Sequence, residues 1–158
     1  MDKAVAKVLF ATKNLPIGKF LVLQEEDWRK APEQFLEKLR KFFVLPVFVK
    51  PANLGSSVGI SKAHDRAELA VALDEAARYD RKLLVEVAID AREIEVSVLG
   101  NDEPIASVPG EIVPCNLFYD YAAKYLDGES ELLIPAPVPA ETADLIRRLA
   151  VDAYLSID

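Results

Sequence analysis

The sequence predicts an α+β fold, with mainly antiparallel sheets and flanking helices. Three observations carry this reading. Apolar residues recur at helical spacing in two stretches, Phe35, Leu36, Leu39 and Phe42, then Leu69, Leu73, Ala76 and Ala77. Ile94, Val96 and Val98 alternate with Glu93, Glu95 and Ser97, the period of a half-buried strand. Between the two helical stretches, an apolar run is followed by a Gly/Ser loop and a second strand-like segment, so strand follows strand with no helix between.

Taken in order, residues 2–13 read as a helix with Val5, Val8, Leu9 and Thr12 on one side. Asn14-Leu15-Pro16 ends it, because proline disfavours helix at the residue before it. Ile17 to Leu23 reads as a strand. A helix then starts at Pro32, since proline suits the first helical position, and buries the Phe35–Phe42 stripe. Leu45 to Pro51 is a strand, with a second near 58–62. Asp65 opens a third helix, with Glu68 as its capping-box partner. Strands are expected over 82–88, 92–99, near 103–108 and near 131–135. A last helix is expected over about 140–157, with Leu145, Ile146, Leu149 and Ala153 inside. A boundary near 88–91 divides the chain into lobes of 1–88 and 89–158.

Bulk chemistry removes several classes of function. The net charge of -7 opposes nonspecific nucleic-acid binding, which needs a basic face. It leaves nucleotides open, because a few placed lysines bind phosphates on an acidic protein. One cysteine, Cys115, forbids an internal disulfide, and with one histidine, His64, it excludes a Cys/His zinc site. No apolar run approaches the roughly 20 residues of a membrane span. The start Met1-Asp2-Lys3 lacks a signal-peptide core, so the chain reads as cytoplasmic.

Three stretches could carry chemistry. In "FVKPANLGSSVGISK", residues 48–62, Lys50 ends an apolar strand and Gly55, Ser56, Ser57 and Gly59 follow. Glycines let backbone N–H groups approach a phosphate, and hydroxyls add donors. The stretch lacks the G-x-x-x-x-G-K-[ST] pattern, and on composition alone it equally describes a hairpin beside a solvated lysine. Glu86 and Glu93 straddle a turn and could accept from an adenine amine or ribose hydroxyls, or simply line a wet strand face. "FYDYAAKY", residues 118–125, places Tyr119, Tyr121, Lys124 and Tyr125 in one loop. Such a loop suits a lid that excludes water, or one pinned to the surface by its rings.

Together, "MDK" at 1–3, "VKPANLGSSVGISK" at 49–62, "REIEVSVLGN" at 92–101, "FYDYAAKYL" at 118–126 and "LLIPAP" at 132–137 resemble the D-alanine–D-alanine ligases. The resemblance covers essentially the whole chain. It implies an ATP-grasp fold, with ATP held between two antiparallel lobes, the second incomplete here. It also implies the family's reaction. ATP phosphorylates the carboxylate of one D-alanine, and the amine of a second attacks the acyl phosphate, giving D-alanyl-D-alanine for peptidoglycan.

Residue by residue, Lys3 and Lys50 resemble the family's phosphate-binding lysines. Gly55, Ser56, Ser57, Val58 and Gly59 resemble its phosphate loop. Ser56 also resembles a serine that places substrate, in a hydrogen-bonded set with the tyrosine matched by Tyr125. Glu86, Val87, Ala88 and Ile89 match the adenine segment, and Glu93 the ribose-binding glutamate. Lys124 matches a lysine near the transferring phosphate, on the closing loop that bears Tyr119 and Tyr121.

Two positions depart from the pattern: Ala91 stands where the family usually has glycine, and Ala122 where an acidic residue is common. The resemblance places the family's first domain before Met1 and its magnesium ligands after Asp158. The expectation is therefore a fragment that holds the ATP cradle, with ATP and D-alanine as ligands, Mg2+ held by residues elsewhere and activity of this chain alone not expected. The family is commonly homodimeric. The rival readings are a noncatalytic nucleotide-binding or interaction module, and a ligase making D-alanyl-D-lactate.

Overall fold

The computed structural model describes residues 1–114 and 130–157. The chain forms two compact units, one of Met1–Lys7 with Gly18–Asp90, the other of Val8–Ile17 with Ala91–Asp158.

The first unit is built on a four-stranded antiparallel sheet. Its strands are β1 (Phe20–Gln24), β2 (Val47–Pro51), β3 (Ser61–Ala63) and β4 (Lys82–Val87), in the order β1-β4-β2-β3. Alternation along β2 shows how the sheet is used. Val47, Val49 and Pro51 are buried, while Phe48 and Lys50 between them are half-buried. The buried face packs on α2 (Glu25–Lys30), α3 (Pro32–Phe42) and α4 (Arg66–Ala76). Leu23, Leu36, Leu39, Val47, Leu73 and Val85 belong to this core. Trp28 of α2 packs edge-on to Phe35 and donates to Asp74 Oδ1 of α4 at 2.8 Å, which ties the helical layer together.

Local signals explain most of these elements. Pro32 occupies the first turn of α3. Asp65 caps α4 by accepting from the Glu68 N–H at 2.9 Å. The expected capping box is modified: Glu68 reaches back to the N–H and Nδ1 of His64, one residue before the cap. The stripe Leu69, Leu73, Ala76 and Ala77 is buried as its spacing requires.

Other expectations shift. α1 is Lys3–Thr12, but its buried residues are Ala4 and Ala6, while Val5 and Val8 are exposed. The small side chains give this helix its close approach, so the larger valines are left outside. Phe42 is exposed and its neighbour Phe43 is buried, because α3 ends at Phe42 and the extended backbone of Phe43 turns that ring inward. α2 was not foreseen, and β1 begins at Phe20 where Ile17 was expected.

The second unit holds β5 (Glu93–Glu95), β6 (Val98–Leu99), β7 (Ile105–Ala106), β8 (Gly110–Val113), β9 (Glu131–Leu133) and α5 (Ala140–Leu155). β5, β8 and β9 form one antiparallel sheet in the order β5-β8-β9, and β6 pairs with β7. The strand expected over 92–99 is thus two strands in two sheets, interrupted at Val96-Ser97. β8 was not foreseen. On α5, Ile146, Leu149 and Ala153 are half-buried, but Leu145 is exposed. No helix among the described residues is long and apolar enough to cross a membrane.

Candidate functional site

The face of the first sheet opposite the helical layer carries the residues that can do chemistry. Strand register sets which side chains share it. Phe48 of β2 lies opposite Glu86 of β4, and Glu86 lies opposite Phe20 of β1. Lys50 is two residues beyond Phe48 and so projects from the same face. Lys62 of β3, paired with Phe48, is on that face as well.

Glu86 is the centre of the arrangement. It is buried, which for a carboxylate demands partners. Lys50 Nζ pairs with Oε1, and Lys7 Nζ of α1 lies 2.8 Å from Oε2. Burial pushes this carboxyl up, but the Lys50 charge and the contacts from Lys50 and Lys7 outweigh it, holding Glu86 below the usual carboxylate range. The ammonium groups also stand over aromatic rings: Lys7 Nζ is 5.4 Å from the Phe20 centroid and Lys50 Nζ is 5.2 Å from the Phe48 centroid.

Beside this cluster runs the Gly/Ser loop, and its footing is well defined. Lys3 Nζ donates to the carbonyls of Pro51, at 2.8 Å, and of Leu54. The Asn53 N–H and Nδ2 both donate to Asp80 Oδ2, at 2.9 and 2.7 Å. Above that footing, Ser56 (φ 51°), Ser57 (φ 59°) and Gly59 (φ 68°) are all left-handed. Two non-glycine residues in that region cost energy, and such strain concentrates where backbone must meet a ligand. The Val58 N–H donates to the Gly55 carbonyl at 3.1 Å, which closes the turn. A side chain at Gly55 would meet nothing within 4 Å, so the loop approach is open there.

Lys3 and Lys50 act on each other. Burial first, and then the Lys50 charge, push the Lys3 ammonium below its ordinary range. Lys50 and Lys7 thus share one carboxylate, Glu86, while Lys3 sits at the loop's footing within reach of the charges of Lys50, Asp80, Glu86 and Asp2. Two ammonium groups against the one charge of Glu86 leave a local positive excess, which suits an anion such as a phosphate chain.

The adenine-segment candidates are adjacent. The N–H of Val87 donates to the Lys19 carbonyl at 3.0 Å and that of Ala88 to the Pro46 carbonyl at 3.2 Å. Contacts from these two residues to a ligand must therefore run through carbonyls or side chains. Ile89 is exposed, and its side chain lies near Gly18. Glu93 belongs to the second unit, exposed on β5 and paired with Ile112. Cys115, Tyr119, Tyr121, Lys124 and Tyr125 lie outside the described residues.

Lys7 was not among the residues the sequence singled out. The available signal was its spacing: four residues after Lys3, it must share that lysine's helix face. Among the described residues, no group of three or more His, Cys, Asp or Glu could hold a metal ion.

Comparison with known proteins settles the family. The family model described as "D-ala D-ala ligase C-terminus" matches residues 9–158. The chain belongs to this family. D-alanine–D-alanine ligases of Heliobacterium modesticaldum and Chloroherpeton thalassium are 56% and 51% identical to it over its whole length. The chain spans 43% of each of these relatives. Among solved structures, the VanG D-Ala:D-Ser ligase of Enterococcus faecalis matches with a TM-score of 0.84 and 31% identity, covering 99% of this chain and 44% of that one. The D-alanine–D-alanine ligase of Coxiella burnetii matches with a TM-score of 0.78 and 29% identity, covering 99% and 40%. The α+β, mainly antiparallel architecture of this ligase-family chain is thus the ATP-grasp fold.

Proposed function

We propose that the first unit binds ATP at the sheet face opposite its helical layer, in the service of an ADP-forming, D-alanine-activating ligation for peptidoglycan synthesis in the cytoplasm. The observation that carries the reading is the pairing of Lys50 with buried Glu86 beside the left-handed Ser56–Gly59 loop. In this reading Lys50 meets the phosphate chain, the loop covers it with backbone N–H groups and hydroxyls, and Glu86 to Ile89 border the adenine. Lys3 keeps the loop in shape through its bonds to the Pro51 and Leu54 carbonyls, and adds positive charge below the phosphates.

Phosphoryl transfer is chiefly positioning and charge neutralisation, which is what such a cluster supplies. Bound ATP contributes the phosphoryl group that turns a D-alanine carboxylate into an acyl phosphate. Ser56 is proposed to help place the substrate. Lys124 and Tyr125 are proposed as catalytic residues, and Tyr119 and Tyr121 as parts of a lid, on the resemblance of their loop to the family's. The family relation also implies Mg2+ with the nucleotide. The likeness to a D-Ala:D-Ser ligase supports a fold that accepts different second amino acids, so the product is identified only by its own analysis.

The test is an equilibrium ATP titration of the chain and of Lys50→Ala. A charge-assisted contact is worth about 1.5–3 kcal/mol, so the variant should bind roughly ten- to a hundredfold more weakly. Equal affinity in the two proteins, or no ATP binding by either, would refute the proposal.

A further inference from the structure

A lysine that must hold a phosphate is here already paired with a buried carboxylate. Phosphate has to win Lys50 away from Glu86 Oε1. If Lys50 were the sole counter-ion, its departure would leave a desolvated carboxylate uncompensated, a heavy penalty charged against ligand binding. Lys7 changes that accounting. Its Nζ stands 2.8 Å from Oε2, the other oxygen of the same carboxylate. At that distance Lys7 is a close ion-pair partner of a buried oxygen that Lys50 does not reach, since Lys50 pairs with Oε1. Each lysine therefore has its own oxygen of Glu86, and the Lys7 pairing remains in place when Lys50 leaves.

Lys7 is also well placed to stay behind. It lies one helical turn after Lys3, whose ammonium is occupied with the Pro51 and Leu54 carbonyls, so the two helix lysines have separate tasks. Its ammonium stands over the Phe20 ring and its side chain is 19% exposed.

We propose that Lys7 is a positioning residue, the standing counter-ion of Glu86 that frees Lys50 to exchange this carboxylate for a phosphate of ATP. The inference rests on the nucleotide reading above. It assigns Lys7 no contact with the ligand, so its effect is transmitted through Lys50 and depends on the phosphates.

The test compares ATP with adenosine, titrated into the wild-type chain, Lys7→Gln, Lys7→Arg and the double variant Lys7→Gln/Glu86→Gln. Lys7→Gln should weaken ATP about tenfold while leaving adenosine unchanged. Lys7→Arg should restore ATP binding. The double variant should regain the wild-type ratio of ATP to adenosine affinity, because Lys50 then has no carboxylate to leave. A merely structural role would weaken both ligands together, and that result overturns the proposal. So does an unaltered ATP affinity in Lys7→Gln, or a double variant no better than the single one. Failure of the wild type to bind ATP would sink the nucleotide reading and this inference with it, whereas wild-type binding with an indifferent Lys7→Gln sinks this inference alone.

Discussion

Gly59 and Tyr79 are in contact through the space a side chain at Gly59 would need. A Cβ built on Gly59 falls 2.6 Å from Cδ2 of the Tyr79 ring and 3.1 Å from Cγ of Pro51. Its φ of +68° is also left-handed, so glycine is required both for backbone conformation and for space. The Gly/Ser loop is thereby seated on the end of the helical layer, and its last turn has one permitted position.

Gly59→Ala should therefore cost roughly 2–4 kcal/mol, combining the left-handed penalty with overpacking. Adding Tyr79→Ala should recover only the part due to the ring, leaving the backbone cost and the Pro51 contact. Urea denaturation of the single and double variants reads this directly. If the double variant matched Tyr79→Ala alone, the backbone would impose no cost and the account given for this loop would be wrong.

Glu86 gives the first unit an acid-sensitive element. Lys50 and Lys7 hold its folded-state pKa below the ordinary value despite burial. With the folded value below the unfolded one, the pairing stabilises the protein above the unfolded pKa, and that stabilisation is lost as pH falls through the folded pKa. Stability should decline on acidification through and below the usual carboxylate range. Glu86→Gln should flatten that part of the profile, since it removes the titrating group while keeping the shape. Chemical denaturation from pH 7 downward is the measurement, and an unchanged acid slope in Glu86→Gln would contradict the arrangement.

What could be read from the sequence followed the strength of the local pattern. α3 and α4 were legible because Pro32 and Asp65 mark their starts and Leu36, Leu39, Leu69 and Leu73 keep a helical period. α2 was not, because Glu25–Lys30 buries only Trp28, and one apolar residue has no period. β8 escaped for a related reason: one of its two buried residues is Glu111, a residue type that pattern reading places outside. At the candidate site, Lys50 and the Gly55–Gly59 loop were legible as a motif, and the family resemblance gave them a role. The burial of Glu86 was not, since alternation reports which face a residue is on and not what covers that face. Lys7 was hidden because a lysine on a helix normally means solvent, and only the fold shows the carboxylate it meets.

The same reasoning about an inward carboxylate leads to a prediction in the second unit. Glu111 of β8 is 8% exposed and is gripped by Arg92, with Nε to Oε1 and Nη2 to Oε2 both at 2.6 Å. Arg92 Nη2 also donates to the Pro137 carbonyl at 3.2 Å, so one guanidinium joins the lead-in to β5, the middle strand β8 and the segment after β9. The hydrogen bond from Arg92 holds the Glu111 carboxyl below its usual range, against the upward push of burial. Lysine can keep the charge but cannot supply two parallel donors, so Arg92→Lys should be intermediate between wild type and Arg92→Ala. The expected signature is local. Amide hydrogen exchange should quicken in β5 and β8 in that order of variants, with little change in the first unit's β2 and β4. Glu111 in Arg92→Ala should protonate at higher pH than in wild type, so the variant loses order in this sheet earlier on acidification. Equal exchange in Arg92→Lys and wild type would mean that charge alone suffices and that the two-pronged grip is incidental.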